Sequence, residues 1–310
     1  MTVITLGESM GLVASLSTFT QSATAEVGFC GAESNVAIGL ARLGHEVTWL
    51  SRLGADSFGR LISTSLTGEG VRVRAELDTS RPTGVLLKEQ RTPQSTRVTY
   101  LRAGSAASAL RPELLDPAAL EGISHLHLTG ITPALGPGPA ATALALLSAA
   151  RERGATVSFD VNHRSRLWSA HEASTALAPF VRGADVLFAG EDEAALFVAP
   201  GTAGELCRRL ADLGPSEVVL KLGDRGALAL ADGAEHSAAA RPVAVVDTVG
   251  AGDAFVAGYL SARFDGLSVP ERLHRGTTTA AFACLSSSDW QGAPRRDELG
   301  LLDATEPVTR

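Results

Sequence analysis

The sequence predicts an α/β protein, a mostly parallel sheet with helices on both faces and a small β extension beside it. Three observations predict it. Short apolar runs alternate with amphipathic stretches of about 10–15 residues, the rhythm of βαβ units. A glycine-rich turn near the C-terminus joins a strand-like run to a helix. One interval, 83–102, instead alternates residue by residue, as antiparallel strands do.

Taken in order, residues 3–6 read as a short buried strand. Residues 12–29 are rich in Ser, Thr and Ala, show no helical face and are expected to be irregular. Residues 36–43 read as a helix stopping at Gly44, 47–53 as a strand, and 58–66 as a helix ending before Gly68. In 83–102, Val85 and Leu87 are answered by Val98 and Tyr100 across a polar turn at Thr92-Pro93-Gln94-Ser95. Strands follow at 125–128 and 157–160 around a helix at 140–153, then at 186–188 and 218–222, with helical stretches at 192–198 and 205–213. A strand-like run at 243–246 leads to the glycine-rich turn. Helices at 254–263 and 270–285 close the chain before a polar, peripheral tail from 293.

Composition narrows the function. With 310 residues, 45% hydrophobic and 20% charged, the chain is globular and long enough for a large core. Its net charge of −7, without a basic block, argues against a nucleic-acid partner. The longest apolar run, 139–150, is shorter than the ~20 residues a membrane span needs, and residues 1–8 lack the positive start of a secretory leader. Three cysteines, Cys30, Cys207 and Cys284, lie far apart, in neither a disulfide nor a metal-ligand spacing. A cytoplasmic protein is expected. Lysine occurs only at Lys88 and Lys221, so chemistry that needs a lysine has two candidates.

The string with most chemistry is Asp247-Thr248-Val249-Gly250-Ala251-Gly252-Asp253-Ala254-Phe255. Small residues at 250–252 let backbone N–H groups crowd an anion, and the start of a helix adds partial positive charge. Such a site suits a phosphoryl group gathering charge in its transition state. A plainer role also fits: glycines that turn the chain and an aspartate that caps a helix. The string is neither a dinucleotide fingerprint nor a Walker loop, and Gly7-Glu8-Ser9-Met10-Gly11 after the first strand lacks the glycine spacing of a nicotinamide-dependent oxidoreductase. For the β extension, a lid over the strand ends and a surface hairpin without a role both fit.

The full nine-residue string resembles the signature of the ribokinase-like (PfkB-type) carbohydrate kinases. Gly28-Phe29-Cys30-Gly31-Ala32-Glu33-Ser34-Asn35 resembles their N-terminal glycine-rich signature, and the likeness continues through Leu53-Gly54-Ala55-Asp56-Ser57-Phe58-Gly59 and Lys221-Leu222-Gly223-Asp224-Arg225-Gly226-Ala227. It spans about residues 3–294 and implies one three-layer α/β/α domain over 1–310, with lid segments at about 12–29 and 83–102. Within the family, Asp160-Val161-Asn162-His163-Arg164-Ser165-Arg166-Leu167-Trp168, Tyr100-Leu101-Arg102-Ala103-Gly104-Ser105-Ala106 and Asp289 are similar to the branch acting on 2-keto-3-deoxygluconate. Leu86 and His163 stand where that branch often has Tyr, and Gly190 replaces an Asn before Glu193.

The resemblance implies ATP-dependent phosphorylation of a sugar acid at a primary hydroxyl. Asp253 would be the base, with Gly250, Ala251 and Gly252 forming the anion hole. Gly31, Asn35, Tyr100, Arg102, Arg164 and Asp289 would hold the sugar acid. Asn162, Lys221, Gly223, Asp224 and Gly226, with Gly250 and Gly252, would bind ATP, and Glu193 would be an outer partner of Mg²⁺. Two planar guanidinium groups suit a carboxylate or phosphate. The likeness leaves open another sugar kinase, such as a fructokinase or ribokinase, and a non-catalytic sugar-binding protein on the same fold. The exposed β extension is expected to serve as an oligomer edge.

Overall fold

The computed structural model describes residues 1–21, 24–92 and 95–304. Its strands are β1 (Thr2–Leu6), β2 (Met10–Ser15), β3 (Glu26–Cys30), β4 (Glu46–Gly54), β5 (Arg72–Asp78), β6 (Val85–Thr92), β7 (Ser95–Leu101), β8 (Ile123–Thr129), β9 (Thr156–Asp160), β10 (Val186–Gly190), β11 (Glu217–Lys221), β12 (Ala227–Ala231) and β13 (Ala234–Ala238). Its α-helices are α1 (Ala32–Arg42), α2 (Ser57–Gly68), α3 (Ile131–Ala134), α4 (Pro137–Glu152), α5 (Ala170–Gly183), α6 (Glu191–Ala194), α7 (Ala203–Ala211), α8 (Ala251–Phe264) and α9 (Val269–Cys284).

Nine strands form one sheet in the order β13-β12-β11-β10-β9-β8-β1-β4-β5. It is parallel from β11 to β5, and the hairpin β12–β13 adds two antiparallel strands at one edge. Strands buried on both faces read as near-continuous apolar runs, which is why 186–188 and 218–222 were legible. Leu146 of α4, Phe180 of α5 and Leu210 of α7 pack on one face with Phe159 and Leu220. On the other, Ile38 of α1, Ile62 of α2, Leu260 of α8 and Leu273 of α9 pack with Trp49 and Phe188. The result is three layers.

The chain winds outward in both directions from β1, so the strand order reverses beside it. In such sheets a crevice opens where the carboxyl ends of the strands meet that reversal. Above it lies a second sheet, β3-β2-β6-β7, in which β2 and β6 run parallel and the outer pairs antiparallel.

Several expectations need correction. Both ends of 12–29 are strands, β2 and β3, because the small sheet gives them partners that no local pattern reveals. The 83–102 hairpin is present as β6 and β7; the Pro93-Gln94 turn lies outside the described residues. The 192–198 helix shrinks to the single turn of α6. Residues 243–246 are not a strand: this loop is held by a bond from Val246 N–H to the carbonyl of Cys284 at 2.8 Å. The tail is surface structure but anchored, with Arg296 donating to the carbonyl of Leu43 at 2.6 Å and pairing with Asp265 at 2.8 Å. Strands β5, β12 and β13 and helices α3 and α5 have no counterpart in the sequence reading.

Candidate active site

Helix α8 begins after Gly250, whose φ of 76° is left-handed. A side chain there is barred twice over, since a Cβ would also fall 1.9 Å from the carbonyl oxygen of Asp289. Upstream, the Asp247 carboxylate accepts the Val249 N–H at 3.1 Å and so shapes the turn. Gly252 differs from Gly250: a Cβ on it would enter open space, with Lys221 Nζ 3.9 Å away. The first turn of α8 thus presents bare backbone to a cavity and to a half-buried ammonium.

Asp253 is buried in that turn and accepts a hydrogen bond from Asn35 Nδ2 at 2.8 Å. Burial pushes its carboxyl up to about 6; the Asn35 bond opposes the shift, Asp160 adds to it, and Arg164 and Lys221 counter it. Asn35 comes from α1, where its Oδ1 is buried without a hydrogen-bond partner. Lys221, at the end of β11, donates to both oxygens of Asp160 at 2.7 Å. Burial alone would lower its pKa, but Asp160 and Glu193 outweigh that and raise it.

Two cavities meet at this point. One, about 770 Å³, is lined by Asn162, Glu193, Lys221, Thr248 and Gly252 among others. The other, about 520 Å³, is lined by Cys30, Gly31, Asn35 and Arg102. Both share Tyr100, Arg164, Gly250, Asp253 and Asp289. Burial raises Asp289 to about 7, with Lys88 pulling down and Asp253 and Asp247 pushing up. Its neighbour Trp290 packs on Phe29 of β3 with ring centroids 5.0 Å apart, and Arg42 of α1 lies 5.4 Å over the indole.

The sequence-derived residues separate into groups. Gly31, Asn35, Tyr100, Arg102, Arg164 and Asp289 surround the smaller cavity, and Asn162, Lys221, Gly250 and Gly252 line the larger. Ala251 lies in the same first turn of α8. Gly223, Asp224 and Gly226 form the turn just past β11 and do not line either cavity. Asn162 has a left-handed φ of 41°, unusual for a residue with a side chain, and it turns the chain so that His163 N–H reaches Glu193 at 2.8 Å. The other Glu193 oxygen accepts the Gly190 N–H at 2.7 Å.

The guanidinium of Arg102 is paired with Glu8 and lies 5.7 Å over the Tyr100 ring. Glu8 also accepts the Ser105 hydroxyl at 2.6 Å. Sequence reasoning gives no site role to Glu8, Asp160, Lys88 or Asp247, although the last three lie in motifs or residue types that it singles out. The scarcity of lysine was the available signal for Lys88. Arg164 is exposed and makes no ion pair among the described residues; its nearest acceptor is the His163 carbonyl at 3.5 Å.

Carboxylate oxygens are the donor type that Mg²⁺ prefers. Among the described residues no group of three His, Cys, Asp or Glu side chains is placed to hold a metal ion by itself. Glu193, with both oxygens taken by backbone donors, fits a partner of metal-bound water better than a direct ligand. Among the described residues no helix is long and apolar enough to cross a membrane.

The family model described as pfkB family carbohydrate kinase matches residues 5–295. A 2-dehydro-3-deoxygluconokinase of Bacillus subtilis is 35% identical over 308 residues, covering 96% of this chain and 93% of that one. A 2-dehydro-3-deoxygalactonokinase of Haloferax volcanii is 38% identical over 254 residues, covering 81% of this chain and 80% of its own. Among solved structures, a PfkB protein from a Polaromonas species superposes with a TM-score of 0.87 at 36% identity, covering 97% and 99% of the two chains.

Proposed function

The chain belongs to the pfkB family of carbohydrate kinases, and from that premise we propose that it transfers the γ-phosphate of ATP to the primary hydroxyl of a sugar acid, C6 of 2-keto-3-deoxygluconate. The observation that carries this reading is the meeting of two cavities at Asp253, one fitting a nucleotide and the other a sugar. Phosphoryl transfer asks little covalent chemistry of a protein; it needs in-line positioning and a place for charge.

In this reading the sugar acid sits between α1 and the small sheet, with its primary hydroxyl at Asp253. Asp253, with its carboxyl raised to about 6, is ionised at neutral pH yet basic enough to take the hydroxyl proton. The unpartnered Asn35 Oδ1 is an acceptor suited to a second sugar hydroxyl. Arg164, which faces both cavities, balances the carboxylate or the phosphates, and Tyr100, Arg102, Asp289 and Gly31 complete the sugar side. The amides of Gly250, Ala251, Gly252 and Asp253, with Lys221 nearby, receive the transferring oxygens. Glu193, fixed by the His163 and Gly190 N–H groups, would stand behind the water of a Mg²⁺ ion, which would supply positive charge to offset that of the phosphates. Asn162 and the turn at Gly223, Asp224 and Gly226 flank the nucleotide side.

The small sheet acts as a lid in this reading, and its exposed Val27 and Leu101 suit a homo-oligomer contact. A cytoplasmic setting supplies the ATP. One second reading has an observation in its favour: with Arg102 neutralised by Glu8, a neutral ketose is less disfavoured than two unpaired arginines would make it.

ADP release over a panel of sugars and sugar acids tests both. The acid reading expects kcat/KM for 2-keto-3-deoxygluconate or a related 2-keto-3-deoxy acid at least about tenfold above fructose or ribose, the order of one charged hydrogen bond. Preference for fructose would keep the kinase and discard the acid.

A further inference from the structure

We infer that Lys88 is a positioning residue for phosphoryl transfer: from the small sheet it holds the phosphate-binding turn in its working shape through Asp247. The inference rests on the kinase reading above. Of the chain's two lysines, Lys221 is committed to Asp160, which leaves Lys88. It stands on β6 two residues after Leu86, on the same face of the strand, and both side chains line the larger cavity. Glu89, the next residue, faces away and accepts the Phe19 N–H at 2.8 Å.

Lys88 is nearly buried, and its Nζ reaches across to donate to Asp247 Oδ2 at 2.5 Å, with the Ser287 carbonyl at 3.5 Å. The other Asp247 oxygen accepts the Val249 N–H, the next residue is the left-handed Gly250, and α8 starts there. A continuous chain of bonds therefore runs from the small sheet to the amides that would hold the transferring phosphoryl group. Among the described residues this is the ion pair that joins the small sheet to residues 247–253. Residues 246 and 247 otherwise hang by their backbone N–H groups from the carbonyl of Cys284 at the end of α9. A sugar that draws the small sheet down thus also sets the turn, and transfer is tied to sugar occupancy rather than to nucleotide alone. The same ammonium favours the ionised form of Asp289.

The test uses the full-length enzyme, ATP and whichever sugar the wild type turns over best, together with hydrogen exchange of the ligand-free protein. Lys88→Met is expected to lower kcat about 30-fold while the sugar KM moves less than about threefold, since an interaction serving the transition state is lost. Lys88→Arg keeps the charge and should recover kcat to within about fivefold of wild type. Asp247→Asn should lose a similar amount, and the double variant Lys88→Met/Asp247→Asn no more than about twice the larger single loss, because both cut one link. Amides 249–253 should exchange about tenfold faster in Lys88→Met, with α9 unchanged. A Lys88→Met kcat within about twofold of wild type, losses that multiply in the double variant, or unchanged exchange at 249–253 would each overturn the inference. If the wild type phosphorylates nothing in the panel, the kinase reading fails on its own, and the exchange comparison still decides whether Lys88 holds the turn.

Discussion

In the kinase reading the two halves of the site are built differently. The phosphate half is one contiguous stretch, Asp247 to Phe255, folded by its own glycines onto the start of α8. The sugar half is assembled from α1, the loop after β9, the small sheet and the segment after α9, and its charges are already partly paired. A half made by local geometry tolerates almost no change but needs few partners. A half made by tertiary contact can alter its preference through a single remote partner, as Glu8 would through its pair with Arg102.

The largest effect expected is on the base. Asp253→Asn keeps the size and the Asn35 contact but removes proton acceptance, so kcat should fall roughly 10²–10⁴-fold. In the wild type, kcat/KM should rise with pH through about 6 as Asp253 loses its proton, and the variant should lack that limb. Turnover retained within about tenfold would reduce Asp253 to a helix cap.

Next comes the anion hole, where the contrast between its glycines matters. Gly252→Val puts a side chain into open space facing Lys221, and should cost about 10²–10³ in kcat with the sugar KM unchanged. Gly250→Ala collides with the Asp289 carbonyl and should disturb both halves, raising the sugar KM as well. Equal kinetic signatures for the two variants would erase the distinction between the halves.

Smaller effects are expected on the sugar side. Arg164→Met should lower kcat/KM for the acid by roughly 10–100-fold and leave fructose nearly unchanged, the range of one charged hydrogen bond. Its ATP KM must be measured in parallel, since Arg164 faces both cavities. Glu8→Gln releases Arg102 from its carboxylate and should increase preference for the acid about threefold to tenfold. A Glu8 variant that favours neutral sugars would show that the pair serves shape rather than charge.

The smallest effect is on stability. Asp253 is raised in the folded state, so the fold holds its proton more tightly than the unfolded chain does. Its contribution is therefore full below the unfolded value near 3.8 and is lost as pH rises through about 6. Asp253→Asn should then melt a few degrees above wild type at pH 8, roughly 1–2 kcal/mol, and show no such gain below pH 4. The proposed base is thus a strain on the fold that carries it.

That division also explains what could be read from the sequence. Gly250, Gly252 and Asp253 were legible because turn, cap and helix start follow one another in the chain. Gly31 and Asn35 were legible for the same reason, at the entry to α1. Glu8 was not, because Arg102 and Ser105 reach it from the far side of the small sheet, with 97 residues separating Ser105 from Glu8. Residues 243–246 misled because β-branched apolar residues suggest a strand, yet Val245 and Val246 are each 59% exposed. The edge beyond β11 is taken by the β12–β13 hairpin, and the chain spends these valines crossing to the turn at 247–250. Strands β2 and β3 escaped because their partners, not their own pattern, make them strands.

The contact of Trp290 with Phe29 has an optical consequence. Of the three tryptophans, Trp290 follows Asp289 directly and touches a strand of the small sheet, whereas Trp49 is sealed in the core and Trp168 packs against the opposite core cluster. A displacement of β3 would change the polarity and quenching around that ring, so the Trp290 share of the emission would follow the small sheet in ordinary solution. If the small sheet closes as the proposed lid, the molecule carries its own gauge of that motion, readable without a label.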